Sequence, residues 1–94
     1  MLIRSQNKIT LIKFENIVIN IDNINGKEII CWSQMNPGED EYISLGHYST
    51  KAKALKVLDM IQEAYCKFMS VKNDDAWDGK ESVFYMPENS EVEE

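Results

Sequence analysis

The chain reads as an α+β domain. Alternating apolar runs occupy residues 11 to 48, one amphipathic stretch runs from about residue 50 to residue 71, and a short apolar run returns at residues 83 to 86. Strands followed by one long helix and a returning strand predict an antiparallel meander sheet of about five or six strands, with the helix packed on one face. Ninety-four residues with 44% apolar composition suit one core and one domain, spanning residues 1–87 and followed by an acidic tail at 88–94. A core this small leaves modest stability, so a subunit interface is expected to help.

The first strand signal is Leu11-Ile12-Lys13-Phe14-Glu15, with Ile12 and Phe14 on one face and two charges on the other. Ile17 to Asp22 and Glu28 to Ser33 flank Asn25-Gly26, a pair suited to a two-residue type I′ turn because both residues tolerate positive φ. In that register Ile24 faces Lys27, Ile21 pairs with Ile30, Ile19 with Trp32 and Ile17 with Gln34. The buried face is then Ile17, Ile19, Ile21, Ile30 and Trp32, with Cys31 pointing away. Asn36-Pro37-Gly38 and the charged Glu39-Asp40-Glu41 interrupt the pattern, and Tyr42 to Tyr48 resumes it.

Ser49 or Thr50 caps the helix, which runs to about Met69 or Val71. Ala54, Val57, Leu58, Ile61, Ala64, Tyr65, Phe68 and Met69 share one side of the wheel, and Lys53, Lys56, Asp59, Glu63 and Lys67 lie outside it. Leu55 and Cys66 widen the apolar face at one margin, beyond what a small sheet needs to cover. Asn73 to Ser82 reads as a polar loop, Val83 to Met86 as a short strand closed by Pro87, and Glu88 to Glu94 as disordered.

The charge is asymmetric. Residues 74–94 hold eight acids against Lys80 alone, whereas the first 73 residues hold nine bases against the other eight acids. The net charge of −6 therefore belongs to the C-terminal segment. Such a balance gives no basic stripe for nucleic acid, and favours contact with a partner over catalysis. The opening residues hold no apolar run of signal-peptide length and nothing downstream approaches a membrane span, so a cytoplasmic protein is expected. Cys31 and Cys66, with no Cys-x-x-Cys and one histidine, read as free thiols in a reducing compartment.

Few constellations carry chemistry. His47 lies on an alternating strand in phase with Ile43 and Leu45, and no nucleophile or carboxylate is marked beside it. Laid on a calcium-loop template from Asp74, Ala76 takes a ligand position and Tyr85 stands where a bidentate Glu is required, so no metal site is expected. Lys51, Lys53 and Lys56 crowd the first turns of the helix, where the macrodipole favours acids. With the hydroxyls of Ser49 and Thr50 and the free backbone amides, they form a candidate contact for a phosphate or for the chain's own acidic tail. Trp77, an aromatic within an acidic loop, either anchors that loop on the helix or is exposed to a partner.

Three blocks stand together: Leu2-Ile3-Arg4-Ser5-Gln6; Leu45-Gly46-His47-Tyr48-Ser49-Thr50 running on through Lys53 to Asp59 and Ala64-Tyr65; and Phe84-Tyr85-Met86-Pro87. In these the chain resembles a group of short uncharacterised proteins of Gram-positive bacteria and their phages or mobile elements. The resemblance spans most of the chain, implies a shared fold and assigns no activity.

The expected function is that of a small non-enzymatic interaction or accessory protein forming homo-oligomers, in the first place a dimer. It needs no cofactor and has no direct contact with nucleic acid or membrane. Its partner contacts are expected at Leu55, Cys66 and Trp77, or at an unpaired sheet edge. The alternatives are an acidic inhibitor that mimics DNA, and a small ligand-binding protein or enzyme centred on His47.

Overall fold

The structure is a computed structural model that describes residues 1–33, 42–73 and 82–93. Six strands, β1 (Leu2–Arg4), β2 (Leu11–Lys13), β3 (Ile17–Ile21), β4 (Glu28–Ser33), β5 (Ile43–His47) and β6 (Val83–Tyr85), accompany one helix, α1 (Lys51–Lys72). The α+β class and the helix packed on sheet are as expected. The single meander is not: the strands form two three-stranded sheets, ordered β2-β1-β6 and β3-β4-β5.

The division arises at Phe14–Asn16, a 3-10 turn that bends the chain out of the first sheet before β3 begins. β2 instead pairs back on β1, with Ile3 opposite Ile12, and β1 takes β6 on its other side in parallel, with Ile3 opposite Phe84. At three residues, β1 is too short to show an alternation. The β1–β2 loop turns at Lys8, whose φ of 69° is the one positive value at a non-glycine among the described residues. The buried Ser5 side chain holds that loop, donating to Asn7 Oδ1 at 2.6 Å and accepting from the Thr10 amide at 3.0 Å.

The β3–β4 register differs from the sequence reading by one residue, so that Ile21 pairs with Ile29, Ile19 with Cys31 and Ile17 with Ser33. The loop is wider than a type I′ turn. Asp22 Oδ1 accepts from the Ile24 amide, Asn25 Oδ1 accepts from the Lys27 amide, and the Gly26 amide reaches back to the Asp22 carbonyl. Only Gly26, with φ of 69°, enters the left-handed region there. Asx turns have won over the Asn-Gly pair, and a one-residue slip exchanges the faces of the partner strand. Ile29 and Cys31 are therefore buried in β4, while Ile30 and Trp32 take the half-buried opposite face.

A bulge at Leu45 adjusts β5, since Ile29 opposes Gly46 and Ile30 opposes Ser44. Leu45 and Tyr48 turn into the core; Ile43 and His47 stay exposed.

Thr50 caps α1 by accepting from the Lys53 amide at 3.2 Å. The helix lies over β4 and buries Ala54, Val57, Ile61 and Phe68. These join Ile3, Ile29, Cys31, Leu45, Tyr48 and Met86 in one core shared by both sheets. Phe14 stacks on Tyr65 with ring centroids 4.5 Å apart, fastening the bend between the sheets to the helix. The Met1 ammonium is paired with Glu15 at the same bend.

The expected disorder of 88–94 gives way over 88–93. Asn89–Glu91 form a 3-10 turn closed by a reciprocal capping box between Glu88 and Glu91, and Val92 is 4% exposed. An apolar valine among acids supplies the burial that a purely polar tail would lack.

Candidate functional site

Gln6 near the start of the chain, the end of β5 and the segment after β6 meet at one junction. The Gln6 amide donates to the Leu45 carbonyl at 2.7 Å, and its side chain spans outward from there. Nε2 donates to the carbonyls of His47 and Pro87 at 3.2 and 3.1 Å, while Oε1 accepts from the His47 amide at 2.9 Å. One glutamine thus ties together β5, the turn after β1 and the segment after β6. Tyr48, wholly buried beside it, donates its hydroxyl to the Pro87 carbonyl at 2.8 Å. Burial above all, and then the carboxylates of Glu88 and Glu91, push the ionisation of Tyr48 above its ordinary range. The arrangement is a structural clamp that fixes where the C-terminal segment leaves the domain.

From that clamp the segment runs onto the start of α1. The Ser49 amide donates to Asn89 Oδ1 at 2.8 Å, Lys53 Nζ donates to the Asn89 carbonyl at 3.2 Å, and Lys56 Nζ donates to the Glu93 carbonyl at 2.6 Å. Of the candidate anion contact, Ser49, Lys53 and Lys56 meet this segment between Asn89 and Glu93. The two lysines reach backbone carbonyls of that segment instead of its carboxylates. Thr50 is engaged in capping the helix, and the stem of Lys51 packs near Gly26, where an added Cβ would lie 3.2 Å from Lys51 Cδ.

An apolar opening lies along the seam between β3 and α1. A groove of about 460 Å³ is lined by Phe14, Ile17 and Ile19 from one side and by Leu58, Ile61, Gln62, Tyr65 and Cys66 from the other. A second opening of about 490 Å³ continues past Leu58 to Leu55, Lys51 and the β3–β4 loop. Leu58 borders both, so the two openings adjoin along the seam. At its loop end Ile24 stands 94% exposed, and Leu55 is 46% exposed.

Leu55 and Cys66, the margin expected to reach a partner, both line this seam. Trp77 and the Asp74–Glu81 stretch lie outside the described residues. His47 borders neither opening; it is exposed, and the strand register sets the half-buried Glu28 opposite it. Burial raises the Cys31 thiol to about 11, leaving it a core residue, while Cys66 is exposed. Among the described residues, no group of three or more His, Cys, Asp or Glu is placed to hold a metal ion, and no helix is long and apolar enough to cross a membrane.

Sequence reasoning misses Gln6, Phe14, Ile24 and Asn89. Phe14 reads as a strand-face residue, and no local pattern distinguishes a glutamine that spans three segments from an ordinary surface glutamine. Ile24 does carry a signal: it is an isolated isoleucine inside a loop of Asp and Asn, where nothing about the turn requires one. No family model, curated protein or solved structure matches this chain.

Proposed function

We propose that this chain is a small non-enzymatic interaction protein whose contact surface is the apolar seam between β3 and α1. The observation that carries the reading is the apolar groove on this seam with a second opening beside it. The two openings share Leu58 as a wall, and Val18, Ile24 and Leu55 stand exposed along the edge strand, the loop after it and the adjoining helix margin. Surfaces of this kind are where protein partners dock.

The test is photo-crosslinking in the expressing cell from a benzophenone amino acid at Gln62, an exposed position on the groove, with Lys67 as control. A protein adduct formed from position 62 and absent from position 67 supports the reading. Equal or absent adducts at both positions contradict it.

A second reading has one observation in its favour. Glu88, Glu91 and Glu93 stand on an ordered segment fixed to the helix, and fixed carboxylates are what an acidic inhibitor resembling DNA requires. Replacing all three with Gln would abolish capture of a DNA-binding protein under this reading and leave the Gln62 adduct unchanged.

A further inference from the structure

We propose that the seam is closed by a second copy of this chain, with β3 pairing antiparallel to its counterpart about a two-fold axis at Ile19. The inference rests on the seam being the contact surface and names its occupant.

The edge is suited to pairing. β3 ends its sheet, and among the described residues no strand pairs with its outer side. Its sequence, Ile17-Val18-Ile19-Asn20-Ile21, holds neither the charge nor the proline with which exposed edges are usually protected. The bond from the Asp22 amide to the Glu28 carbonyl at 2.9 Å sets the phase of the ladder. Val18 and Asn20 therefore bond into β4, and the backbone groups of Ile17, Ile19 and Ile21 turn outward. Two of those three amides have local acceptors, Ile17 on the Phe14 carbonyl and Ile21 on Asn20 Oδ1 at 2.9 Å. The Ile19 amide lies between them, at the centre of the edge. Asn20 is an exposed side chain that a neighbouring strand's carbonyl can replace.

The register then selects a copy of the same chain. With Ile19 on the axis, the Ile19 backbone groups pair with their counterparts and Ile17 opposes Ile21, while the Ile17 amide keeps the Phe14 carbonyl. Beyond β3 the 3-10 turn at Phe14–Asn16 and the β3–β4 loop leave the ladder, and the antiparallel sense of the pairing carries the Ile24 loop of one copy toward the Phe14 end of the other. Ile24 is the most exposed large apolar side chain described, and Phe14 opens the groove that ends at Tyr65 and Cys66. Each copy thus presents a knob to the other's hole, an isologous exchange that closes at two. Both helices fall on one face of the joined sheet, which brings their Leu55 and Leu58 margins toward the axis.

The test introduces a thiol by Ile24→Cys beside native Cys66 and applies a short bismaleimide. The expected product is an interchain link from the introduced thiol of one copy to Cys66 of the other, lost when Cys66→Ser is added. Alkylation of both thiols without an interchain link overturns the pairing. Sedimentation of the wild type gives a second reading: a dimer is expected, with Ile24→Asp folded and monomeric. A wild type that stays monomeric into the high micromolar range overturns the second copy. An intrachain Gln62 adduct, or one to a different protein only, does the same. The contact-surface reading itself fails only if Gln62 gives no adduct beyond its control.

Discussion

The hydroxyl of Tyr48 donates to the carbonyl of Pro87 across 39 positions of chain, at 2.8 Å and from a ring with no solvent exposure. That bond closes the domain. It holds the end of β6 against the entry to α1, and everything C-terminal of it is placed from there. Removing the hydroxyl with Tyr48→Phe is expected to cost about 0.5–1.5 kcal/mol in urea unfolding, since Pro87 keeps the Gln6 donor at 3.1 Å.

Gly46 shares that site for a reason of space. A Cβ on Gly46 would lie 3.1 Å from the Tyr48 hydroxyl oxygen and 3.2 Å from Cε2, and a fully buried ring has little room to yield. Gly46→Ala is expected to destabilise by about 1–3 kcal/mol, measured by the same unfolding curves. A double-mutant cycle with Tyr48→Phe checks the contact, because part of the clash is with the hydroxyl itself.

Tyr48 also predicts a pH dependence. Its ionisation is raised in the folded state, first by burial and then by Glu88 and Glu91, so the neutral phenol favours folding. The contribution is whole below the unfolded value of about 10 and is lost as pH rises beyond it, because the unfolded chain then releases a proton that the native state retains. The urea midpoint of the wild type should therefore fall above about pH 10, and Tyr48→Phe should flatten that fall. Cys31 adds a loss of the same sign, beginning at lower pH with its thiol raised to about 11, so the comparison is best made in a Cys31→Ala background.

The same burial separates the two thiols. Cys66 is expected to react with an aromatic disulfide reagent in the folded protein, and Cys31 only as the chain unfolds. If a second copy covers the seam, the Cys66 rate slows with rising protein concentration, and Ile24→Asp removes that slowing.

The C-terminal segment is expected to behave as part of the fold. Asn89→Ala removes the acceptor of the Ser49 amide and should raise hydrogen exchange there while leaving Ile29 protected. Val92→Ala should cost about 1–2 kcal/mol, comparable to other truncations of a buried aliphatic group. A truly disordered tail would show neither effect.

The helix was legible almost to the residue, because a Thr cap and a continuous 3.6-residue pattern are local signals that the core then reinforces. The strands after β1 were legible as strands, but β1 and the arrangement of all six were not. A single residue in the Asp22–Lys27 loop decides whether Cys31 or Trp32 is buried, and the choice lies in side-chain-to-backbone bonds that Asp22 and Asn25 make only in three dimensions. The split into two sheets was hidden for a related reason: the bend at Phe14–Asn16 sits inside what reads as unbroken alternation. For the candidate site, the margin at Leu55 and Cys66 came directly from helical periodicity. The opposite wall required Phe14 and Ile17 to be brought across from another segment, and the docking of Val92 required a core position that no periodicity marks.

The most direct test of the account is residue-resolved amide exchange at Ile19 across a dilution series. Ile19 turns its amide outward at the centre of the β3 edge, whereas Val18 bonds inward to β4. The account predicts that Ile19 gains protection as protein concentration rises, with Val18 protected throughout. An Ile19 amide that exchanges at the open-chain rate at every concentration, beside a protected Val18, would contradict pairing at this edge.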